Sequence, residues 1–281
     1  MSGSFFETAG TAIRLEVVSA HGSTPRAAGT VMYVSADSTE GTIGGGRLEH
    51  IAIEAAREML AAGSAERRLE MPLGPEIGQC CGGYVALSML LLDSAMLARE
   101  GAHLAAAQRN NPSIYIFGAG HVGRALAAAM SLLPVRTVLV DEREEQLALC
   151  RAVVEQRLTP LPEAEVRSAP RGSAFVVLTH DHALDFIITA EALMRGDAAY
   201  VGMIGSKTKR ASFERWCAKS SAPVGDTVPL VCPIGATGSD DKRPEVIAAF
   251  VAAEVIARLT EARAAGDAAP QQAEAGDGLN E

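Results

Sequence analysis

Apolar and polar positions follow two different patterns along this chain. From Ser113 onward, short continuous apolar runs such as 113–117, 174–178 and 200–204 alternate with stretches whose apolar residues have helical spacing. Continuous apolar runs are typical of parallel strands covered on both faces, and strand–helix alternation implies right-handed βαβ units. Residues 113–263 are therefore predicted to form a domain built on a parallel sheet.

The N-terminal third has a mixed pattern that predicts a small α+β domain over residues 1–92. A helix is expected over 47–62, where apolar residues recur at Leu48, Ile51, Ala55 and Met59. The strands predicted around it cover 11–18, 29–35, 67–71 and 84–92. The Ala-rich segment 93–112, partly helical and then polar, is interpreted as an interdomain linker, and the tail 264–281 is predicted to be disordered.

The apolar run 113–117 leads into Gly118-Ala119-Gly120-His121-Val122-Gly123 and then into an Ala-rich helix. In this Gly-x-Gly-x-x-Gly pattern, Gly118 permits a tight turn, Gly120 lets backbone N–H groups approach a phosphate, and Gly123 lets the helix pack closely on the strand. The positive end of the helix dipole favours an anion there. The strand before and the helix after predict a Rossmann-like unit, so the fold class is α/β.

Asp141 ends the next predicted strand, 135–140, and lies 23 residues after Gly118. An acid at about 20 residues from such a loop often binds a ribose hydroxyl. Asp141 is therefore a candidate nucleotide contact. The ligand of the crevice, a nucleotide or a pterin phosphate, stays open at this point.

Gly44, Gly45 and Gly46 precede the N-terminal helix and are a second candidate anion cradle, because consecutive N–H groups in such a turn can form a nest. The alternative is a tight strand-to-helix turn in which Glu49 helps to cap the helix. Their proximity in sequence to other unusual segments keeps the binding hypothesis open.

Cys80 and Cys81 are adjacent and are followed by Gly82-Gly83. Adjacent cysteines do not bond to each other without strain, and thiols in a glycine-rich loop are candidates for a nucleophile or a soft-metal ligand. Cys81 is predicted to face the cleft between the domains, because the glycines after it give its side chain the freer approach. The alternative is that the pair packs as small buried hydrophobes.

Two further segments follow apolar strands at the edge where open α/β sheets bind ligands. Thr179-His180-Asp181-His182 makes His180 a candidate contact, although Asp181 could instead simply cap the next helix. Ser206 is a candidate N-cap beside the basic residues Lys207, Lys209 and Arg210, which indicate an anionic ligand or a solvated helix face. Cys232 precedes Pro233 at another predicted strand end.

Composition narrows the functional classes. The chain of 281 residues has room for two domains, and its net charge of −9 argues against a nucleic-acid surface or an anionic membrane. No signal peptide or membrane span is apparent, and five scattered cysteines do not form a disulfide framework, so a cytoplasmic protein is expected.

Six ordered segments between Arg14 and Arg258 together resemble one family, that of XdhC-type xanthine dehydrogenase accessory proteins (the XdhC/CoxI family). They are Gly22-Ser23-Thr24-Pro25-Arg26, Gly41-Thr42-Ile43-Gly44-Gly45-Gly46-Arg47-Leu48-Glu49, Gln79-Cys80-Cys81-Gly82-Gly83, the Gly118–Gly123 loop, Thr179-His180-Asp181-His182 and Cys232-Pro233-Ile234-Gly235.

The resemblance implies an accessory protein rather than an enzyme with its own catalytic residues. Such a protein binds the molybdenum cofactor (molybdopterin) while a cysteine desulfurase sulfurates it, then delivers it to the molybdenum-binding subunit of apo xanthine dehydrogenase. Cys81 would be the metal contact. The other cofactor contacts would be Gly44, Gly45, Gly46, Cys80, Gly118, Gly120, His121, Gly123, Asp141, His180, Ser206 and Cys232. The oligomeric state, a homodimer among the options, is not fixed by the sequence.

Two other functions use the same fingerprint. One is an NAD(P)-dependent oxidoreductase, with His180, His182 or Lys207 as proton-handling residues, and the other is a regulatory domain that senses a nucleotide. The N-terminal domain with its triple glycine and cysteine pair has no evident place in a hydride transferase. That mismatch favours the accessory protein.

Overall fold

The computed structural model describes residues 3–74, 82–219, 229–236 and 239–273, with side chains from residue 5 and without those of 108, 109 and 264–273. The chain divides into two compact units, Met1–Ala107 and Gln108–Glu281. Each unit has its own sheet and its own hydrophobic core.

The first unit contains a five-stranded antiparallel sheet in the order β3-β2-β1-β5-β4. Its elements are α1 (Gly3–Thr8), β1 (Ala12–His21), β2 (Val31–Val34), β3 (Thr39–Gly41), α2 (Gly46–Ala62), β4 (Glu66–Leu73), β5 (Gly83–Leu92) and α3 (Ser94–Arg109).

Both faces of this sheet are covered. Side chains alternate between the faces of a strand, so Ile13 and Leu15 of β1 pack with Leu48 of α2, whereas Ala12 packs in a second cluster with Leu97 of α3. The segment 93–112, predicted as a linker, is thus mostly α3, because buried Leu97 fixes an otherwise Ala-rich helix to the sheet.

The second unit contains a six-stranded sheet, all of whose strand pairs are parallel. Its elements are β6 (Ser113–Phe117), α4 (His121–Met130), β7 (Arg136–Asp141), α5 (Glu144–Ala148), β8 (Glu155–Leu158), α6 (Pro162–Ser168), β9 (Ala174–Val177), α7 (His182–Met194), β10 (Tyr200–Met203), α8 (Lys207–Lys219), β11 (Leu230–Val231) and α9 (Pro244–Ala273).

The strand order of this sheet is β8-β7-β6-β9-β10-β11. Counted from its first strand, that is the order 3-2-1-4-5-6 of Rossmann folds, whose chain reverses direction across the sheet between strands 1 and 4. The reversal here lies between β6 and β9. The predicted α/β fold class, with an α+β unit followed by a Rossmann-like one, is confirmed.

The strands form because their side chains are apolar on both faces. Every residue of β6 and β9 is buried, and one core cluster lies on each side of the sheet. α9 begins at Pro244, as expected of a proline in a first helical turn. It continues to Ala273, into the tail predicted to be disordered, where five alanines and two glutamines favour a helix although Gly266 and Pro270 disfavour it.

Candidate functional site

The glycine loop joins β6 to α4, and two of its glycines are required by packing. Gly118 has a φ of +111°, and an added Cβ would collide with the carbonyl oxygen of Leu178. At Gly123 an added Cβ would collide with the carbonyl oxygen of Gly118. Gly118 thus lets the turn pack against the end of β9, and Gly123 lets α4 pack against the turn. Both contacts are those that the glycine pattern predicts.

Gly120 differs from both. Its backbone is extended, with a φ of −67° and a ψ of −172°, and no heavy atom lies within 4 Å of an added Cβ. Neither backbone conformation nor internal packing among the described residues calls for glycine there. Open space beside this backbone is what a ligand approaching the loop would need.

Gly120 is also the N-cap of α4, and no side chain of the described residues caps the helix. The first helical hydrogen bond runs from Arg124 N to Gly120 O at 3.0 Å, so the N–H groups before it have no intrahelical acceptor. The first turn contains no acidic residue, and His121 is exposed. This end of α4 has the donors and the dipole that favour an anion.

Asp141 is buried and holds the loop from the neighbouring strand. Its Oδ2 accepts hydrogen bonds from Ala119 N at 2.6 Å and Arg143 Nη2 at 3.0 Å, and its Oδ1 accepts from Arg143 N and Nε, both at 2.9 Å. Burial alone would raise the pKa of Asp141, but these hydrogen bonds outweigh it and lower the pKa. Four internal donors thus surround the carboxylate predicted to meet a ribose.

The loop after β9 lies beside the glycine turn. Asp181 caps α7 by accepting a hydrogen bond from Ala183 N at 2.7 Å. This is the capping role that the sequence analysis gave as the alternative to ligand binding. His180 is half exposed, and its Nε2 lies 3.8 Å from Glu142 Oε1. Thr179 donates through both N and Oγ1 to Asp185 Oδ1, at 2.9 and 2.7 Å.

Asp185 is a functional candidate that the sequence analysis did not identify. Its side chain is fully buried on α7, and its Oδ2 accepts from Lys209 Nζ of α8 at 2.5 Å. The available signal was an acid between the apolar residues Leu184 and Phe186 of α7, since an isolated buried charge requires a partner. Of the predicted basic cluster, Lys209 is the residue brought into the site, whereas Lys207 is exposed.

A cleft of about 340 Å³ lies where β9 and β10 end. Its lining comprises Thr179, His180, His182, Ile204, Gly205, Ser206 and Lys209. Ser206 accepts from Lys209 N at 3.3 Å, which confirms the predicted position of this serine at the start of α8. The structure therefore brings His180 and Ser206 to one cleft.

Cys232 lies next to this cleft but is buried. Its Sγ is 3.8 Å from the carbonyl oxygen of Ser206. Burial raises the pKa of the Cys232 thiol despite the nearby Lys209 and Arg210. A neutral, buried thiol is a poor metal ligand or nucleophile, so the geometry favours a packing role.

The triple glycine of the first unit surrounds the side chain of Glu49, which belongs to the helix that follows it, α2. Gly44, Gly45 and Gly46 all have positive φ, and Glu49 Oε2 accepts from Ile43 N at 3.1 Å and Gly45 N at 3.0 Å. An external anion would therefore meet the Glu49 carboxylate. This geometry favours the helix-capping alternative over the predicted anion cradle.

The other family motifs of the first unit meet the same end of the sheet. Gly44 packs so closely on Pro25 that no Cβ fits, and Ser23 forms a bridge with Gly82. Cys80 and Cys81 directly precede Gly82 but lie outside the described residues. Their predicted roles stay predictions.

The described ranges contain neither a metal cluster nor a membrane-spanning helix. Among those side chains, no group of three or more His, Cys, Asp or Glu is arranged to hold a metal ion. None of the helices in the same ranges is both long enough and apolar enough to span a membrane.

Comparison with known proteins agrees with this architecture. The chain is 25% identical over 253 residues to the uncharacterized protein YqeB of Escherichia coli (strain K12), covering 86% of this chain and 42% of YqeB. It thus spans less than half the length of that relative. The crystal structure of a xanthine dehydrogenase from Bacillus halodurans has the same fold, with a TM-score of 0.77 at 19% identity over 93% of this chain and 96% of that one.

The family assignment comes from matches to both units. Residues 114–255, half of the chain, match the XdhC Rossmann domain, and residues 7–70 match the XdhC and CoxI family. Together with the parallel sheet and its glycine loop, these matches show that the chain belongs to the XdhC/CoxI family.

Proposed function

We propose that this chain is an accessory protein that binds the molybdenum cofactor, holds it while a cysteine desulfurase sulfurates it, and delivers it to apo xanthine dehydrogenase. The observation that carries the proposal is the open space at Gly120, directly beside the uncapped N-terminus of α4. Family membership supports the accessory role.

The phosphate of the cofactor fits the α4 end of the crevice. The backbone N–H groups there and the positive helix dipole stabilise a phosphate without a lysine or arginine contact. A side chain at position 120 would fill the space that the phosphate oxygens need. Such a contact is reversible, as a protein that must release its cargo requires.

The hydrogen bonds of Asp141 favour a pterin monophosphate over a dinucleotide as the ligand. A ribose hydroxyl would have to compete with Arg143 and Ala119 for the carboxylate oxygens that they already bind. A pterin phosphate has no ribose and makes no such demand. The internal bonding of Asp141 therefore supports the accessory function over an NAD(P)-dependent enzyme or a nucleotide sensor.

Cys81, and with it the first unit, is proposed to protect the metal. The bound cofactor presents a soft molybdenum centre, and a thiolate is a suitable ligand for such a metal. Cys80, its neighbour in the sequence, is the other candidate.

The test is to load the purified protein with molybdenum cofactor and measure the bound pterin by fluorescence after oxidation and the bound molybdenum by mass spectrometry. Gly120→Val should lower both at least about tenfold, because the side chain occupies the phosphate position. Gly10→Val is the matched control, since Gly10 also has no heavy atom within 4 Å of an added Cβ.

Equal loading of Gly120→Val and Gly10→Val, with both folded by circular dichroism, would show that the loop does not bind the phosphate. If the parent protein instead retains NAD and no pterin, the accessory function is wrong.

A further inference from the structure

We propose that the ligand occupies only one half of the Rossmann crevice: its head group lies over β9 and β10 and is recognised by Lys209, while the other half, beside Asp141 at the end of β7, is closed. This inference rests on the proposed function only for the phosphate at α4. It identifies the ligand class as a phosphomonoester with a compact head group and excludes dinucleotides.

The closed half is the side on which a Rossmann protein binds the ribose of a dinucleotide, next to the acid that ends the second strand. Asp141 is that acid here. The space beside it measures about 10 Å³, room for about one water molecule. Val140, Pro162 and Leu184 are among the residues that fill this side.

The open half lies across the reversal of strand order. The cleft over β9 and β10 measures about 340 Å³, within the range of about 300–1,000 Å³ typical of small-molecule sites. The Gly118 turn packs directly on Leu178 and Thr179, and Thr179 also lines this cleft, so the cleft begins beside the glycine loop. Among the described residues, this is the side of the crevice with room for a head group.

Lys209 is the charged group held in place in that cleft. Its side chain is 11% exposed and its ammonium is bound to the fully buried carboxylate of Asp185. Thr179 donates two hydrogen bonds to Oδ1, the other oxygen of Asp185. The carboxylate is therefore held by the loop after β9 as well as by α8.

An ammonium has three N–H donors, and within the described residues the hydrogen bond of Lys209 Nζ goes to Asp185 alone. The remaining donors can serve an acceptor oxygen of a ligand in the cleft. A ring carbonyl of a pterin is such an acceptor. Lys209 is thus a specificity-determining residue positioned by Asp185.

The experiment measures the affinity of a pterin alkyl phosphate and of NAD for the full chain by calorimetry. Lys209→Gln alone would leave the Asp185 carboxylate buried without its partner, which can prevent folding. The double variant Asp185→Asn with Lys209→Gln avoids this, because the asparagine oxygen still accepts from Thr179 and its amide donates to the glutamine. Lys207→Gln removes an exposed lysine of the same helix and is the matched control.

We expect the parent protein to bind the pterin phosphate and to bind NAD at least about a hundredfold more weakly. The double variant should lose about tenfold or more in pterin phosphate affinity, as expected for a charged hydrogen bond, and Lys207→Gln should match the parent.

Three results would overturn the inference. Equal affinity of the double variant and Lys207→Gln would show that Lys209 does not recognise the ligand, with the proposed function left standing. NAD binding as tight as that of the pterin phosphate would show that the second half is open. Absence of pterin phosphate binding by the folded parent would contradict the proposed function, and this inference with it.

Discussion

At the scale of single residues, Asp141 shows how a carboxylate at a binding-motif position can be used by the protein itself. It joins β7 to the glycine loop through Ala119 and holds the Arg143 guanidinium. Removing it would leave the Ala119 N–H without this acceptor, and an unsatisfied buried donor costs about 1–3 kcal/mol. The position of the loop therefore depends on the charge of one side chain.

This predicts a pH-dependent contribution to stability. The pKa of Asp141 is lower in the folded than in the unfolded protein, so its stabilisation is present above the unfolded pKa of about 3.9 and is lost as the pH falls further. Asp141→Asn should lower the free energy of unfolding by about 1–3 kcal/mol at neutral pH and flatten its decrease below about pH 4.

Urea denaturation at a series of pH values measures this effect. Asp93→Asn, a change of the cap at the start of α3, controls for replacing an aspartate by asparagine. A profile for Asp141→Asn as steep as that of the parent would contradict the assignment.

At the scale of elements, α2 is fixed at its start by Glu49. This residue lies in the first turn, where an acid interacts favourably with the helix dipole, and it accepts hydrogen bonds from the turn that carries three positive φ values. The glycines adopt these conformations at no steric cost but lose more backbone entropy on folding. The carboxylate contacts offset that cost.

Glu49→Ala should therefore destabilise the first unit by about 1–3 kcal/mol, because the N–H groups of Ile43 and Gly45 lose their acceptor. Thermal unfolding followed by circular dichroism measures the loss. Glu54→Ala on the same helix removes a carboxylate that is 60% exposed and should change the stability by less than about 0.5 kcal/mol. Equal effects of the two changes would show that Glu49 does not hold the turn.

At the scale of the whole molecule, the two units carry different parts of the proposed function. The second unit contains the proposed phosphate site and the cleft, and the first carries the cysteine pair in its sequence. A cofactor with a phosphate at one end and a soft metal at the other needs both kinds of group.

Cys81→Ser should lower the bound molybdenum per chain without changing the melting temperature, because a hydroxyl is a poor ligand for a soft metal. Cys80→Ser should keep the load and lower the melting temperature if that side chain is the buried one, since an unpaired buried hydroxyl costs about 1–3 kcal/mol. Both are measured on the loaded protein, by mass spectrometry and calorimetry. Full cofactor loads in both variants would rule out a role for either thiol.

The amino-acid sequence by itself determined the parallel sheet, the glycine loop and the family. Apolar runs covered on both faces and the spacing of Gly118, Gly120 and Gly123 are local properties, and β6 has the predicted bounds. Conversely, the segment 93–112 was predicted to be a partly helical linker, and the packing of α3 on the sheet was missed, because it depends on the burial of Leu97 against a distant strand.

The tertiary structure alone decided which polar groups are free to bind a ligand. Sequence spacing marked Asp141 and the triple glycine as sites, but Arg143, Ala119 and Glu49 already satisfy them. Likewise, Asp185 and Lys209 are 24 residues apart and become a pair only when α7 and α8 pack side by side. Hydrogen-bond satisfaction depends on neighbours in space, and the order of residues along the chain does not contain that information.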